Sequence, residues 1–416
     1  MARLSAAAAL GALLLGPAWW PRARGEAGPA QPSEGCRGGQ GSPEPWRSAA
    51  EGRGWSGWVP VEVEDFEAVE RWFWADLPEG VGAAGAGPAP LLLSFHGQSG
   101  NASGQAGSHD FLRLGREHGF LTVYPQGIDD ADPSAGDAGD QGTGWNVGTA
   151  GDDSTCDANE TAGTCYLSCR RLGRCGKCNW STCYDERLFA RRVIQTVARG
   201  LCVDLSRVYL QGESNGGMVA WHLMQEMPGV FAAVVPWFGL PLLGYTFGRG
   251  FGAVRAPEQF GHTALLQLHG RQDRTIPSAS GIAHGDGGGW IYEPLDKVHA
   301  GWAAVHGCQR DLVPVATRWD GGASHLSCRE FRGCTSGRRV MRCMYDGEHG
   351  DYPAPDPTGD ESPCGSCCSS GCRAPTAPRW PEAATRPGGG CSSSDTVAAA
   401  AAWRAPAPQY PIGGGG

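Results

Sequence analysis

The segment RVYLQGESNGGMVAWHL, residues 207 to 223, decides the fold prediction for this chain. Its first residues, Arg207 to Leu210, form a short apolar run typical of a buried strand, and the residues from Met218 onward have helical apolar spacing. Gly212-Glu-Ser-Asn-Gly216 stands between them and has the form GxSxG. That form alone is weak in a chain with 66 glycines. The strand–turn–helix context, however, predicts a sharp turn that presents the Ser214 hydroxyl.

Apolar runs elsewhere alternate between strand and helix patterns. We predict strands at residues 59–64, 90–95, 120–124, 207–210, 231–235, 264–268 and 340–345, and helices at residues 186–201, 216–227 and 295–306. Residues 68–74 fit a strand or a short helix. Continuous apolar runs are typical of strands buried on both faces. The alternation therefore predicts an α/β fold with a mostly parallel central sheet and helices on both faces, and a site beyond the carboxyl ends of the strands.

A serine nucleophile needs a base and an acid, which on such a sheet follow it in the order acid, histidine. Asp273 lies just after a buried strand, whereas Asp286 and Asp296 have no preceding strand. His349 lies in a glycine-containing loop after the last strand. The histidines that compete with it are His284, His299, His306 and His325. The sequence thus predicts that Ser214 attacks, His349 takes its proton and Asp273 orients the imidazole.

Two backbone donors are expected to bind the oxyanion of the reaction. We predict that Asn215, directly after the nucleophile, supplies one and that Gln98, in the loop after the PLLLSF strand, supplies the other. Trp145, Asn146 and Trp237 are candidate substrate-binding residues, although large aromatic residues in such sheets more often belong to the core. This chemistry uses no metal and no cofactor.

The N-terminus has the layout of a secretory signal peptide, which we predict over residues 1–27. Arg3 precedes the apolar run from Leu4 to Leu15, and small residues follow. A membrane anchor is the alternative, but the run is too short for a hydrocarbon core of about 30 Å, and Pro17 and Pro21 interrupt it. The sequence therefore predicts an extracellular protein with no membrane span.

Composition agrees with export. The chain has 17 cysteines, which is typical of an oxidising compartment. Sequons for N-glycosylation begin at Asn101, Asn159 and Asn179. A net charge of −9 argues against binding to nucleic acid, because such proteins need a basic face. The odd number of cysteines implies that at least one thiol is free or pairs outside the chain.

The remaining segments divide the chain. Residues 28–57 are predicted as a Gly/Pro-rich linker, 58–354 as the catalytic domain and 355–416 as a low-complexity tail that contains cysteines. Residues 151–183 form a cysteine-rich insertion, for which disulfides are favoured over a zinc site at Cys175 and Cys178.

Several segments taken together resemble the secreted polyhydroxybutyrate depolymerase and feruloyl esterase family of α/β-hydrolases. The resemblance covers about residues 60 to 355. Its segments are VDLSRVYLQGESNGGMVAWHL, FAAVVPWFG, PLLLSFHGQ, FLTVYPQG, GTGWN, LQLHGRQDRTIP and MYDGEHGDYP. The last departs from the family's usual Gly-His-x-Trp-Pro, and the cysteine-rich insertion is longer than usual.

The resemblance implies a triad of Ser214, Asp273 and His349 that hydrolyses acyl esters through an acyl-enzyme. It implies as substrates acyl esters on polymers, either cell-wall polysaccharide esters or polyhydroxyalkanoate, or on plant-type phenolics such as feruloyl groups. Two alternatives stay open. One is a non-catalytic protein of this fold that binds extracellular carbohydrate, and the other is a lipase or peptidase, because a triad does not determine the leaving group.

Overall fold

A computed structural model describes the chain in ten segments. The segments are residues 30–37, 44–130, 142–148, 153–156, 166–176, 182–245, 263–278, 283–284, 290–316 and 325–353. Every described residue belongs to one compact unit within Met1–Glu361. The predicted signal peptide and the predicted tail of residues 355–416 lie outside the described residues.

Ten of the described strands form one sheet in the order β1-β2-β4-β3-β5-β6-β7-β12-β11-β10. Strands β4, β3, β5, β6, β7 and β12 run parallel, and β1, β2, β10 and β11 extend the two edges in antiparallel pairing. The strands are β1 Trp55–Glu64, β2 Ala68–Leu77, β3 Ala89–Phe95, β4 Leu121–Pro125, β5 Val203–Glu213, β6 Ala233–Trp237, β7 Ala264–Gly270, β8 Ala283–His284, β9 Ile291–Tyr292, β10 Leu312–Val315, β11 Ser327–Phe331 and β12 Val340–Tyr345. Strands β8 and β9 pair separately. This arrangement confirms the predicted α/β-hydrolase fold.

Seven α-helices are described, most of them between consecutive strands. They are α1 Glu44–Ala50, α2 Ala102–Ser108, α3 Phe111–His118, α4 Leu167–Arg171, α5 Glu186–Gly200, α6 Asn215–Glu226 and α7 Leu295–Val305. Local chemistry fixes their ends. The Asp185 carboxylate accepts the N–H of Arg187 at 2.8 Å and caps α5, and Gly119 ends α3 in the left-handed region.

The sheet is buried on both faces. In β3, Leu91 and Leu93 belong to the core cluster that contains α5 and α6, whereas Leu92 between them belongs to the cluster that contains Phe111 of α3. Successive side chains of a strand point to opposite faces, so a strand covered on both sides must be apolar throughout. This explains why β3 appears in the sequence as an unbroken apolar run.

The order β4-β3-β5 creates a crevice at the carboxyl edge of the sheet. The chain leaves β3 toward β4 on one side and leaves β5 toward β6 on the other. Ligands of open α/β sheets bind at such a point, where adjacent connections diverge. His96 and Gly97 follow β3 there, and Ser214 follows β5.

Part of the predicted linker is folded, which corrects the prediction for residues 28–57. Cys36 forms a disulfide with Cys202, and Pro32 forms a β-bridge with Asp204. A Cβ on Gly35 would lie 2.2 Å from the carbonyl oxygen of Leu201, so the backbones are in close contact. Residues 44–57 contain α1 and the start of β1. A Gly/Pro-rich composition does not reveal a tertiary disulfide.

Short elements also differ from the predictions. Residues 68–74, whose pattern fits either a strand or a short helix, belong to the long strand β2. Eight of these elements had no predicted counterpart, namely α1, α2, α3, α4, β8, β9, β10 and β11. Each has at most eight residues, so its apolar pattern is too short to show a period.

The described cysteines of the insertion are disulfide-bonded. Cys169 pairs with Cys183, and Cys156 and Cys175 are also in disulfides. The prediction of disulfides over zinc therefore holds for these four residues. No group of three or more metal-ligating side chains occurs within the described segments. Over the same segments, no helix has the length and apolar character of a membrane span.

Candidate active site

The turn between β5 and α6 holds Ser214 in a conformation that side chains rarely adopt, with φ 53° and ψ −120°. Two glycines allow the close approach on either side. A Cβ on Gly212 would lie 2.1 Å from the Gly216 carbonyl oxygen, and a Cβ on Gly216 would lie 2.3 Å from the Phe95 carbonyl oxygen. The glycines of GxSxG are therefore steric requirements of this turn, as expected for a nucleophile elbow.

Three side chains form a continuous hydrogen-bonded chain. The Ser214 hydroxyl donates to His349 Nε2 at 2.8 Å, and His349 Nδ1–H donates to Asp273 Oδ2 at 2.9 Å. The carboxylate thus selects the imidazole tautomer that leaves Nε2 free to accept the serine proton. The structure brings together the three residues predicted as a triad, and their catalytic roles stay a prediction.

The loops that carry the acid and the base meet because β7 and β12 are parallel neighbours. Their last residues, Gly270 and Tyr345, are register partners. A Cβ on Gly270 would lie 2.4 Å from the carbonyl oxygen of Gly347, and the N–H of Gln272 donates to the same carbonyl at 3.0 Å. Residues 76 positions apart in the sequence are thereby held in hydrogen-bond contact.

Asp273 is buried and ionised. Its Oδ1 accepts the backbone N–H of Ile276 at 2.8 Å, and His269 Nε2 lies 3.4 Å from Oδ2. Burial alone raises the pKa of this carboxyl, but hydrogen bonds from His269 and His349 outweigh it and lower the pKa from 3.8 to about 2. The lowered pKa therefore keeps the Asp273 carboxylate charged at neutral pH.

Exposure differs along the triad in the direction that catalysis requires. The Asp273 side chain is fully buried, the His349 side chain is 21% exposed and Ser214 is partly exposed. The ring of Phe238 contacts His349 edge-on, with 5.1 Å between centroids. Phe238 itself has a positive φ of 34° directly after β6. Solvent therefore reaches Ser214 and His349, while the Asp273 carboxylate is screened from it.

One predicted oxyanion donor, Asn215, directly follows Ser214, and the loop that carries the other, Gln98, lies close to Ser214. The N–H of Asn215 is at the first turn of α6, where backbone donors have no partner within the helix. Gln98 follows Gly97, and a Cβ on Gly97 would lie 3.3 Å from Ser214 Cβ. The loop of His96, Gly97 and Gln98 thus lies against the nucleophile, and Gln98 as the second oxyanion donor stays a prediction.

The candidate substrate-binding residues are placed differently from the prediction. The indoles of Trp145 and Trp237 are fully buried, so in this conformation neither ring offers a surface to a substrate. Trp145 instead donates from its backbone N–H to Asn215 Oδ1 at 2.8 Å and from Nε1 to the His96 carbonyl at 2.7 Å. Trp237 Nε1 donates to the Tyr345 hydroxyl at 3.1 Å. Both residues are therefore part of the packed interior next to the site.

Asn146 is also engaged in the protein. Its Nδ2 donates to the Tyr184 carbonyl at 2.9 Å, and its Oδ1 accepts the N–H of Gly148 at 2.8 Å. The side chain therefore shapes a turn next to Trp145.

His96 after β3 belongs to the loop structure. Its Nδ1–H donates to the Gly97 carbonyl at 2.7 Å, and its Nε2 accepts the N–H of Gly127 at 2.9 Å. Burial lowers the pKa of His96 to about 4, which keeps the ring neutral.

Sequence reasoning missed two residues of the site. Phe238 gives no pattern signal, because an apolar residue after a strand is ordinary. His269 does give a pattern signal, since it directly follows a buried apolar run. It donates from Nε2 to the Ile276 carbonyl at 2.7 Å and is bridged through Nδ1 to Gln267 at 3.2 Å. These bonds hold the ring against Asp273.

No protein-family model matches the chain. A curated relative, a bifunctional acetylxylan esterase/xylanase of Neocallimastix patriciarum, is 27% identical over 188 residues, which is 45% of this chain and 20% of that protein. The chain thus spans about a fifth of the length of this relative.

Among solved structures, an acetyl xylan esterase from Aspergillus awamori is similar with a TM-score of 0.42 and 16% identity, over 70% of this chain and 94% of that one. A thermostable esterase is similar with a TM-score of 0.33 and 19% identity, over 53% of this chain and 48% of that one. The narrower resemblance to polyhydroxybutyrate depolymerases and feruloyl esterases stays a prediction.

Proposed function

We propose that this protein is a serine hydrolase of carboxylic esters. The single observation that carries the proposal is the hydrogen-bonded chain from Ser214 Oγ to His349 Nε2 at 2.8 Å and from His349 Nδ1 to Asp273 Oδ2 at 2.9 Å. The nucleophile in this chain stands on a strained turn at a helix N-terminus. A protein that only binds carbohydrate has no need for a strained serine with a base and a buried carboxylate behind it.

In the first half of the reaction Ser214 Oγ attacks the ester carbonyl carbon. His349 Nε2 takes the hydroxyl proton, and Asp273 stabilises the imidazolium that forms. The oxyanion of the tetrahedral intermediate is expected to accept hydrogen bonds from the N–H of Asn215 and from the loop at Gln98. The C–O bond to the alcohol then breaks, His349 returns its proton to the leaving alkoxide oxygen, and the acyl group remains as an ester on Ser214.

The second half repeats these steps with water. His349 takes a proton from a water molecule, whose oxygen attacks the acyl carbon, and a second tetrahedral intermediate forms. When it breaks down, the Ser214 oxygen leaves and regains the proton from His349, which releases a carboxylic acid. Each proton that His349 accepts is returned, so no external acid or base is consumed.

For the substrate we propose an acetyl ester carried on a polysaccharide. The support is the curated relative, whose name contains acetylxylan esterase, together with its 27% identity to this chain. Hydroxycinnamoyl and hydroxybutyrate esters are the competing acyl groups implied by the family resemblance. We also propose that the protein is secreted, which the disulfides Cys36–Cys202 and Cys308–Cys334 support.

The test uses the full chain, produced with its disulfides intact. A fluorophosphonate probe should add its mass to the peptide that contains Ser214, and Ser214→Ala should abolish both labelling and the hydrolysis of p-nitrophenyl acetate. Acetylated xylan, methyl ferulate and hydroxybutyrate oligomers then compare the acyl groups. Absence of labelling on folded wild-type protein would reject the triad assignment and favour a binding protein.

A further inference from the structure

A second polar cluster lies behind the nucleophile and is not used by the proposed reaction. Its members are Glu213, His109 and Tyr352. Glu213 is the last residue of β5 and directly precedes Ser214, and Tyr352 follows His349 by three positions. His109 lies in the short turn between α2 and α3.

Both carboxylate oxygens of Glu213 are engaged. His109 Nε2 lies 2.6 Å from Oε1, and the Tyr352 hydroxyl donates to Oε2 at 2.7 Å. The His109 side chain is 1% exposed and that of Glu213 is 10% exposed. Burial raises the pKa of the Glu213 carboxyl, but the contact with His109 and the hydrogen bond from Tyr352 outweigh it, so the pKa is lowered. A buried charge is therefore maintained one residue before the nucleophile.

The hydrogen bond from Tyr352 to Glu213 joins the two halves of the site. One partner is covalently adjacent to Ser214, and the other belongs to the loop that carries His349. The Tyr352 ring also packs edge-on against Trp237, with 4.9 Å between centroids, and against Phe238 at 5.9 Å. The same loop is held by the Tyr345 hydroxyl, which donates to the Asp351 carbonyl at 2.7 Å.

The His349 loop needs such an anchor. Gly347 and Gly350 lie on either side of the histidine, and Gly350 has a φ of 83°. The hydrogen bond from the Glu348 N–H to Asp351 Oδ2 at 2.7 Å stays within the loop and does not tie it to the nucleophile turn. Asp346, Glu348 and Gly350 are exposed. A misplacement of about 1 Å between a base and its nucleophile is able to cost about a hundredfold in rate.

We infer that Glu213, braced by His109, is a positioning residue that fixes the His349 loop through the Tyr352 hydroxyl. This inference rests on the proposed function, because it assigns Glu213 and Tyr352 to the catalytic geometry of Ser214 and His349. Neither side chain touches the reacting atoms. Their effect is on where His349 stands relative to Ser214.

The central variant is Tyr352→Phe, which removes one hydroxyl and keeps the ring. Tyr184→Phe is the matched control, because the Tyr184 hydroxyl also donates to a carboxylate, that of Glu67, outside the triad. Tyr352→Phe should lower kcat for p-nitrophenyl acetate by about tenfold with KM within about twofold. Tyr184→Phe should leave kcat and KM unchanged while losing a similar amount of stability.

Glu213→Gln is the conservative variant, because its amide oxygen still accepts the hydroxyl of Tyr352. It should keep more activity than Glu213→Leu, which removes the acceptor. If the two residues act through one contact, combining Tyr352→Phe with Glu213→Leu should cost little more than the worse single change.

Hydrogen exchange separates this inference from the proposed function. Amides of residues 346–352 should exchange faster in Tyr352→Phe than in wild-type protein or Tyr184→Phe, whether or not the protein is an esterase. An inactive, unlabelled wild-type protein would reject the esterase, and unchanged exchange would reject the anchor. Two kinetic results with an active wild-type enzyme would also overturn the inference. One is a kcat of Tyr352→Phe within twofold of wild type, and the other is an equal loss of kcat in Tyr352→Phe and Tyr184→Phe.

Discussion

Asp273 shows how one residue acquires its role from its neighbours. It accepts hydrogen bonds from the Ile276 N–H at 2.8 Å and from His349 at 2.9 Å, and it lies 3.4 Å from His269. A carboxylate that is held on every side has little freedom to turn away from the imidazole. Its charge and its fixed direction are what define the tautomer of His349.

We predict that Asp273→Asn lowers kcat by about ten-thousandfold, because an amide presents an N–H to His349 and favours the wrong tautomer. The measurement is steady-state hydrolysis of p-nitrophenyl acetate. Ser214→Ala gives the background rate for comparison. If the asparagine variant keeps more than a tenth of wild-type kcat, Asp273 is not the acid of the triad.

The low pKa of Asp273 also makes a prediction about stability. A folded-state pKa of about 2, against 3.8 for the ordinary carboxyl, contributes stability that is fully present above pH 4 and is lost as pH falls through 2. The contribution is about 2 kcal/mol. Urea unfolding of wild-type protein and of Asp273→Asn between pH 6 and pH 2 should converge toward acid pH. If the difference between the two free energies of unfolding does not change with pH, the lowered pKa of Asp273 is contradicted.

The β5–turn–α6 element is defined by backbone contact as much as by hydrogen bonding. Gly212 and Gly216 allow the strand to approach the helix, and Gly216 also lies against the Phe95 carbonyl of β3. A side chain at either position meets backbone atoms, which are unable to move aside as a flexible side chain does. The turn therefore tolerates only glycine at these two positions.

We predict that Gly212→Ala abolishes activity and lowers the free energy of unfolding by at least about 3 kcal/mol, because its Cβ would lie 2.1 Å from the Gly216 carbonyl oxygen. Gly107→Ala in α2 is the control, since a Cβ there meets nothing within 4 Å. The control should be neutral or more stable by up to about 1 kcal/mol. If chemical denaturation shows the same change in the free energy of unfolding for Gly212→Ala and Gly107→Ala, the steric explanation is contradicted.

Disulfides cross-link the molecule over very different lengths of chain. Cys36 and Cys202 are 166 residues apart and join the N-terminal segment to the residue before β5. Cys169 and Cys183 are 14 residues apart and close one loop of the insertion. In the chain-entropy account, a longer closed loop removes more freedom from the unfolded state.

Replacing Cys36 and Cys202 together by alanine should therefore destabilise the protein by about 2 kcal/mol more than replacing Cys169 and Cys183. Guanidinium unfolding of the two double variants measures the difference. If the variant that lacks Cys169 and Cys183 is instead the less stable one, the length of the closed loop does not control the stability that each disulfide contributes.

The sequence by itself indicated where most of the central strands and helices lie along the chain, and it predicted the three residues of the candidate triad. It did so because these depend on local patterns: β3 and β4 are mostly apolar runs, and Ser214, Asp273 and His349 each lie in the turn or loop that follows a strand. The parallel sheet then places such residues at one edge without further information.

Only the tertiary structure decided what surrounds the triad. The burial of Trp145 and Trp237, the disulfide between Cys36 and Cys202, and the contact of Tyr352 with Glu213 join residues far apart in the chain. No local period encodes such contacts, because they depend on which loops the completed sheet brings together. The sequence therefore indicates where the chemistry resides, and the packing of distant segments determines how its residues are held.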